Sequence, residues 1–247
     1  MAIAIAAVLV VAALAHTAPF PFLFEAFRPA RSLWRVTPTP GAPPTLYLTF
    51  DDGPNGQATR QIVDILKSKN VPATFFEVGR SIAADPSTSA YVSNAGFPIE
   101  NHSWDHSFSL PVMSPSHIRR ELTQTSEEIR VVAHQQPTMF RPPHGLRSPQ
   151  LLYEVEQQHL RVVNWNLDPE DYNTGDPATI INRVVNHVHH GSIILLHDGL
   201  QDGIHAVELH DRAGDIAALP ELIDQVRAKG YTFVSLTKVL DLEPDDR

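Results

Sequence analysis

Residues Thr45 to Pro54 read Thr-Leu-Tyr-Leu-Thr-Phe-Asp-Asp-Gly-Pro, and this stretch organises our interpretation of the whole chain. Apolar residues alternate along its first half, which is the period of a buried β-strand. Asp51 and Asp52 follow directly, and neighbouring residues on a strand point to opposite faces. Two carboxylates this close repel each other unless a metal ion or another cation offsets their charge. The stretch therefore predicts a strand that ends at a site with a cationic partner.

Composition limits the function classes that remain. The chain has 247 residues, of which 43% are hydrophobic, and this fits one large domain with a sizeable core. Its formal net charge of -9 argues against a nucleic-acid partner, which would call for a basic face. The absence of cysteine excludes disulfides and thiolate metal sites, so that histidines and carboxylates are the available metal ligands.

The N-terminal segment differs in composition from the rest of the chain. Ala2 to Ala15 is a continuous apolar run, and no charged residue precedes Glu25. A helix over this run would be only about 21 Å long, which is short for a bilayer core of about 30 Å. Ala13-Leu14-Ala15 matches a small-x-small cleavage site. We therefore expect an exported protein, either secreted or periplasmic after cleavage, or anchored in the membrane by an uncleaved segment that extends to Phe24.

The segments that follow predict a barrel. Strand-like and helix-like patterns alternate seven times, which implies a parallel sheet that closes or nearly closes into an α/β barrel. We expect a hydrophobic leader at 1–24, a linker or edge-hugging segment at 25–44, one catalytic domain at 45–242 and a short tail at 243–247. The predicted strands cover residues 45–50, 71–76, 97–100, 138–140, 160–167, 192–196 and 231–234. The predicted helices cover 58–69, a segment ending at 95, 116–133, 149–159, 177–188 and 219–228.

Polar residues follow several of these predicted strands, at the end where barrel enzymes assemble their sites. His102 and His106 are four residues apart, a spacing that lets both imidazoles reach one ion. Together with Asp52 they form a set of two histidines and one carboxylate, which leaves coordination positions open for water and substrate. The sequence therefore predicts a metal site.

A second group of polar residues predicts proton-transfer chemistry. His197 ends the apolar run of the sixth predicted strand, and Asp168 and Asp171 follow the fifth. Either carboxylate would hold the imidazole and raise its pKa, which suits a general acid. Arg141 follows the fourth strand, where we expect it to bind a carboxylate through a bidentate pair of hydrogen bonds.

These residues lie in five ordered motifs that resemble those of the polysaccharide deacetylases, the carbohydrate esterases of family 4 that share the chitooligosaccharide-deacetylase homology domain. The resemblance extends from about Thr45 to Leu240 and implies a distorted (β/α)7 barrel. The five motifs are Thr49-Phe-Asp-Asp-Gly-Pro54, His102-Ser-Trp-Asp-His106, Arg141-Pro-Pro-His-Gly145, Asp168-Pro-Glu-Asp-Tyr172 and Leu195-Leu-His-Asp198.

The resemblance also implies roles for the first group of residues. Asp52, His102 and His106 would bind one divalent metal ion, for which we expect zinc, although cobalt, nickel and manganese accept the same ligands. Asp51 would be the general base that takes a proton from a water activated by the ion. Arg141 would hold Asp51 in place.

The remaining roles are implied in the same way. His197 would protonate the departing sugar amine, with Asp168 setting its charge state, and the backbone N–H of His144 would help to stabilise the oxyanion. Leu195 and Tyr172 would line the acetyl pocket. His144 stands where the family commonly has Tyr and Tyr172 where it commonly has Trp, so these two positions bear on substrate preference.

We therefore expect a hydrolase that removes N-acetyl groups from N-acetylglucosamine-containing polysaccharide, either chitin oligomers or peptidoglycan, and releases acetate. Two alternatives are an ester hydrolase acting on acetylxylan and a non-catalytic carbohydrate-binding barrel. We expect His187, His189 and His190 to lie at the surface rather than in a second metal site. Trp104 is compatible with a core position and with a place in the substrate groove.

Overall fold

A computed structural model of the chain describes residues 32–200 and 209–240. The expected leader at 1–24 and the expected tail at 243–247 lie outside these residues. Within the described part, no helix has both the length and the apolar character needed to cross a membrane.

The described residues form an α/β structure with seven strands and eight α-helices. The strands are β1 (Thr45–Asp51), β2 (Thr74–Glu77), β3 (Ile99–Asn101), β4 (Met139–Phe140), β5 (Arg161–Val162), β6 (Ile193–His197) and β7 (Thr232–Phe233). The helices are α1 (Gly56–Lys69), α2 (Gly79–Ala84), α3 (Pro86–Asn94), α4 (Pro115–Ala133), α5 (Pro149–Gln157), α6 (Pro177–Val185), α7 (Ala213–Ala228) and α8 (Thr237–Leu240).

The seven strands form one parallel sheet curled into a distorted barrel, which confirms the predicted fold. The order is β5-β4-β3-β2-β1-β6, and β7 pairs with the start of β1. A single-residue bridge between Leu167 and Ile194 connects the segment after β5 with β6, at the other end of the sheet. The barrel is distorted because β5 is only two residues long and this closure rests on isolated bridges rather than on a full ladder.

Strand β1 lies at the centre of this sheet. It pairs with β2, β6 and β7, and every one of its residues after Thr45 is buried. Leu46, Leu48 and Phe50 belong to the main hydrophobic cluster, where Phe50 stacks on Phe75 with ring centroids 5.2 Å apart. Since full burial of one such side chain contributes about 1.5–3 kcal/mol, this strand anchors the site that follows it.

The described part of the expected linker contacts the barrel. Leu33 is buried and bridges to Val163, while its amide donates to the carbonyl of Val162 at 2.8 Å. Arg35 forms an antiparallel bridge with Ser192 just before β6. The segment therefore lies between the ends of β5 and β6, where the strands themselves do not pair continuously.

Four helices begin with the same local signal, an oxygen-bearing N-cap residue followed by proline. The cap side chains of Asp85, Ser114, Ser148 and Asp176 each accept a hydrogen bond from a backbone N–H in the first turn. Proline fits the first helical position because its φ is already helical and the N–H it lacks would have no partner within the helix. Each cap contributes about 1 kcal/mol.

Helix α7 begins earlier than the sequence predicts. We expected a start at Leu219, next to Pro220, but the helix begins at Ala213 and contains that proline. Tertiary contacts explain the extension, because Gly214 packs so closely on Gly175 that an added Cβ would lie 2.7 Å from its carbonyl oxygen. Oδ2 of Asp215, in the first turn, lies 2.5 Å from Nη2 of Arg212.

Candidate active site and metal centre

The register of the sheet brings the predicted site residues together. Asp51, at the end of β1, is paired with His197, at the end of β6. On the other side, Asn101 of β3 is paired with Phe140 of β4, so that His102 and Arg141 follow neighbouring strand ends. Carboxyl ends of parallel strands share one edge of the sheet, and this edge carries the candidate site.

Asp52, His102 and His106 form a buried group with ligand atoms within 4.8 Å of one another. Nε2 of His102 lies 3.4 Å from Oδ1 of Asp52, and Nε2 of His106 lies 3.0 Å from the same oxygen. It is the only group of three or more potential metal ligands within residues 32–200 and 209–240.

The hydrogen bonds around this group favour the ligand form of His102. Its Nδ1 lies 2.7 Å from the carbonyl oxygen of Arg141, an acceptor, so Nδ1 carries the proton in the neutral ring. Nε2 then has a free lone pair that faces Asp52. This arrangement, in which the second ring nitrogen is fixed by a carbonyl, is usual for metal-binding histidines. The imidazole and carboxylate donors fit a borderline divalent ion such as zinc.

The protonation states agree with metal binding. Burial lowers the pKa of His106 to about 4, which keeps the ring neutral. Burial raises the pKa of Asp52, but the nearby imidazoles of His106 and His102 outweigh it and hold that pKa well below its usual range. Near neutral pH His106 is therefore a neutral imidazole and Asp52 a carboxylate, the forms that bind a metal ion.

The two adjacent carboxylates are not separated by strand alternation, and this part of our interpretation was wrong. Strand β1 ends at Asp51, and Asp52 has a left-handed backbone with φ of 74°. The turn brings both side chains to the same site, since His102 Nε2 lies 3.7 Å from Oδ2 of Asp51 and 3.4 Å from Oδ1 of Asp52. His106 and His144 are also left-handed, a strained conformation that concentrates at functional sites.

Arg141 contacts Asp51, although not through the bidentate pair that we expected. Its Nη1 donates to Oδ1 of Asp51 at 2.6 Å and to Oγ1 of Thr49 at 2.8 Å. The other two nitrogens, Nε and Nη2, donate to the backbone carbonyls of Val163 and Asn164. The bidentate pair does not form because those carbonyls engage the rest of the guanidinium. Arg141 is fully buried and thus fixes Oδ1 of Asp51 and leaves Oδ2 facing the metal-ligand group.

His197 is held by Asp171, not by Asp168. Its Nδ1 lies 2.8 Å from Oδ1 of Asp171, and its backbone N–H donates to Oδ2 of the same carboxylate at 2.8 Å. Asp168 instead accepts a hydrogen bond from the backbone N–H of Glu170 at 2.7 Å. The difference arises because Glu170 is left-handed and a 3-10 turn begins at Asp171, which carries the second carboxylate under the imidazole.

Arg212 and Asp215 complete the cluster around His197, which we call the His197 cluster. Nη2 of the buried Arg212 lies 2.5 Å from Oδ2 of Asp171 and 2.5 Å from Oδ2 of Asp215. Nε of Arg212 donates to the carbonyl of His197 at 3.1 Å. The guanidinium therefore ties the start of α7 to the end of β6 and to the turn after β5.

The charges in this cluster favour a protonated imidazole. Burial lowers the pKa of His197, but Asp171 more than offsets this effect and the pKa rises to about 10. Asp171 remains a carboxylate, because His197 and Arg212 outweigh the effect of burial and hold its pKa below the usual range. Burial raises the pKa of Asp215 to about 9. Of the two carboxyl groups that contact Arg212, Asp215 is therefore the protonated, neutral one. His197 is thus a proton donor at neutral pH.

The residues expected to bind substrate surround these two clusters. His144 lies in a 3-10 turn (Pro143–Gly145), with its ring 4.5 Å from that of His106. The ring of Tyr172 contacts His197 edge-on at 5.5 Å. Leu195 is buried and, two residues before His197 on β6, lies on the same face of the strand.

The sequence did not predict a group of residues that supports the turn carrying Asp51 and Asp52. Oγ1 of Thr59 donates to Oδ2 of Asp198 at 2.5 Å and accepts from the backbone N–H of Asn55 at 2.8 Å. A Cβ at Gly53 would lie 2.2 Å from Asp198, so only glycine fits there. Asp198 was visible beside His197 in the sequence. Thr59 carried no signal because it lies in a helix-like segment, and Arg212 carried none because it lies just before a helix in a stretch without a predicted element.

The three histidines expected at the surface and Trp104 lie outside the two clusters. His187 and His189 are exposed and His190 is half-buried. Trp104 is half-buried and packs on the backbone of Gly79, where an added Cβ would lie 2.5 Å from its ring.

The sequence model of the polysaccharide deacetylase family matches residues 39–163. The chain belongs to the polysaccharide deacetylase family. One relative in the family is a chitooligosaccharide deacetylase of Sinorhizobium fredii, which is 32% identical over 205 residues that cover 82% of this chain and 95% of the relative. A peptidoglycan-N-acetylmuramic acid deacetylase of Bacillus subtilis is 31% identical over 80% of this chain, which spans only 39% of that longer protein.

Solved structures of the family have the same fold. The Bc1960 peptidoglycan N-acetylglucosamine deacetylase, in complex with an N-oxidanyl-benzamide, has a TM-score of 0.74 and 31% identity, covering 84% of this chain and 92% of that one. A mutant of BA3943, a family pseudoenzyme with restored enzymatic activity, has a TM-score of 0.75 and 25% identity, covering 86% of this chain and 72% of that one. Membership in the family alone therefore does not establish turnover.

Proposed function

We propose that this chain is a metal-dependent hydrolase that removes N-acetyl groups from a polysaccharide containing N-acetylglucosamine. One observation carries the proposal. Asp51 pairs in register with His197, and its Oδ2 lies 3.7 Å from Nε2 of His102 in the metal-ligand group. A base, a metal-ligand set and a proton donor thus lie at one strand edge, the combination that amide hydrolysis requires.

Asp52, His102 and His106 would hold the ion, for which zinc is our proposal because imidazole and carboxylate ligands suit it. When bound, a divalent ion supplies Lewis-acid activation of water and of the amide carbonyl.

Asp51 acts as the general base. Arg141 engages its Oδ1, whereas Oδ2 faces the metal-ligand group and is the oxygen that accepts a proton from the attacking water. The water oxygen then forms a bond to the acetamide carbon. The backbone N–H of His144 donates to the oxyanion that develops on the carbonyl oxygen.

His197 acts as the general acid. Asp171 fixes its Nδ1, so Nε2 is the nitrogen that gives a proton to the amine as the C–N bond breaks. Leu195 and Tyr172 line the pocket for the acetyl methyl group, next to His197. The net reaction consumes one water and yields acetate and a free amine on the sugar. Asp168 supports Tyr172 and the turn rather than the imidazole itself.

The substrate we propose is a chitin oligomer or peptidoglycan, because the relatives described above are named for chitooligosaccharides and peptidoglycan. Peptidoglycan lies outside the cytoplasm, which supports the export expected from the hydrophobic leader. The net charge of -9 argues against a nucleic-acid partner.

Release of acetate tests this proposal. The full chain, loaded with zinc, is incubated with chitopentaose, peptidoglycan and acetylxylan, next to Asp51→Asn and the exposed-surface control His187→Ala. We expect acetate from one of the first two substrates with the parent protein and the control, and almost none with Asp51→Asn. Release only from acetylxylan would replace the amide substrate with an ester, and no release from any polymer by the folded, zinc-loaded chain would contradict the proposal.

A further inference from the structure

Phe108 is an exposed aromatic residue at the edge of the candidate site. Its side chain is 54% exposed, an unusual position for a phenylalanine, and it lies only two residues after the metal-ligand candidate His106. Of the other large hydrophobic residues exposed in the described part of the chain, Tyr153 is the only other aromatic. This exposed ring borders the candidate active site and is therefore open to a ligand bound there.

The ring of Phe108 continues a series of aromatic rings that begins inside the site. The centroids of His102 and His106 lie 4.9 Å apart, and those of His106 and His144 lie 4.5 Å apart. Phe108 then stacks on His144 with a centroid distance of 3.5 Å and an angle of 6°. One face of the phenyl ring is covered by His144, and this contact fixes its orientation beside the metal-ligand group.

The backbone also holds Phe108 in place. It lies at the second position of a turn in which the N–H of Leu110 donates to the carbonyl of Ser107 at 3.1 Å. The hydroxyls of Ser107 and Ser109 lie 2.9 Å apart across the turn, and Ser148 donates to the carbonyl of Pro111 at 2.6 Å. The ring is therefore presented by a hydrogen-bonded turn and needs little ordering when a ligand binds.

We propose that the outer face of Phe108 is a sugar-binding subsite, which binds the apolar face of a pyranose ring next to the residue that is deacetylated. This inference rests on the proposed function, because it assumes that an extended glycan occupies the cleft. The axial C–H groups of a pyranose carry partial positive charge and complement the electron-rich face of a phenyl ring. The serine hydroxyls on either side of the phenylalanine match the polar rim of a sugar.

The size of the exposed patch favours a glycan over a protein partner. A stable protein interface buries about 1,200–2,000 Å² in total, and the patch consists of one phenyl face flanked by Ser107 and Ser109. A single sugar ring needs no more than one aromatic face. His144, which stacks on the other face of Phe108, would then help to determine which glycans bind.

Binding measurements on inactive protein test this subsite. Asp51→Asn is compared with Asp51→Asn/Phe108→Ala by calorimetric titration with chitopentaose and by NMR titration with N-acetylglucosamine. We expect the added substitution to weaken pentamer binding roughly three- to tenfold, the range of a single aromatic contact, and to leave monosaccharide binding unchanged. Phe108→Trp in the same background should restore pentamer binding. Val112→Ala is the matched control, because Val112 is 84% exposed on the same segment.

Three results would overturn the subsite: equal pentamer affinities with and without Phe108, an equal loss for pentamer and monosaccharide, or no measurable pentamer binding at all. Unchanged thermal melting of Phe108→Ala excludes a folding defect. These outcomes are separate from the fate of the proposed reaction. Phe108-dependent binding without acetate release in the parent protein would contradict hydrolysis and leave the subsite in place. Acetate release with Phe108-independent binding would contradict the subsite and leave hydrolysis in place.

Discussion

The metal-ligand cluster and the His197 cluster use the same type of side chain, an imidazole, for opposite purposes. Burial and neighbouring imidazoles lower the pKa of His106 to about 4, so this ring is neutral and offers a lone pair. Asp171 raises the pKa of His197 to about 10, so that ring carries a proton it can give away. Both histidines lie at one strand edge of the same barrel, and burial acts on both in the same direction.

The difference lies in the partner of each imidazole. Asp52 is shared by two imidazoles, which together form a ligand set for a cation. Asp171 instead contacts one imidazole and a guanidinium, because Arg212 holds its other oxygen. Environment rather than residue type thus assigns the two roles, as in other enzymes that separate the pKa values of paired groups.

The largest loss of activity is expected from a substitution in the metal-ligand group. His102→Ala removes a ligand candidate whose Nδ1 is fixed by the carbonyl of Arg141, so zinc binding and turnover should be lost together, with kcat/KM falling about 10³-fold or more. Elemental analysis of the purified variant and acetate release give the two readouts. His187→Ala is the control and should retain both. Full zinc stoichiometry in His102→Ala would break the assignment of the ligand set.

Asp51→Asn should separate metal binding from proton transfer. The amide cannot take a proton from water, so we expect kcat to fall about 10²–10³-fold while zinc content stays at that of the parent protein. The same two measurements decide the outcome. Near-normal activity would exclude Asp51 as the base.

Asp171→Asn changes the partner of the proposed general acid His197. It should lower kcat by a smaller factor, about 10–100-fold, and should shift the pH profile of kcat. The carboxylate raises the pKa of His197, and the acid must be protonated, so its loss should move the alkaline limb to lower pH. Asp168→Asn, which leaves the contact between His197 and Asp171 intact, is the matched comparison. A larger shift from Asp168→Asn than from Asp171→Asn would restore the first carboxylate as the partner of His197.

The pH dependence of stability should show the smallest effect. His197 has a raised pKa in the folded state, so its contribution is complete below the usual value of about 6.5 and is lost as pH rises through about 10. The free energy of unfolding, measured by denaturant titration between these pH values, should therefore fall as pH rises and fall less in Asp171→Asn. An equal slope in both proteins would show that this ion pair does not couple to folding.

The same two clusters show which parts of the candidate site could be predicted from the sequence. Asp52, His102 and His106 lie within short motifs beside predicted strand ends, so strand periodicity and barrel geometry were enough to bring them together. The His197 cluster draws on β6, the turn after β5 and the start of α7. Its assembly depends on a left-handed Glu170 and on a guanidinium from a segment 41 residues beyond Asp171, neither of which has a periodic signal.

The fold likewise contains elements that local sequence predicts and elements that depend on tertiary contacts. Alternating apolar strands and capped helices follow from local sequence. Each of the seven observed strands overlaps a predicted one, although β5 covers only Arg161–Val162 of the predicted 160–167. The early start of α7, with Pro220 in its interior, follows from tertiary packing at Gly214 and from the contact between Asp215 and Arg212, which together override local propensity. The turn at Asp52 likewise depends on Asp198 packing against Gly53 rather than on strand alternation.

The most direct test of this account follows zinc and acetate in the same sample. The full chain is stripped with a chelator, assayed on chitopentaose and peptidoglycan, reloaded with one equivalent of zinc and assayed again, with Asp51→Asn treated in parallel. We predict that acetate release stops on stripping and returns on reloading, and that Asp51→Asn rebinds zinc without releasing acetate. Acetate release that persists in the metal-free protein, or that Asp51→Asn supports at the parent rate, would contradict the account.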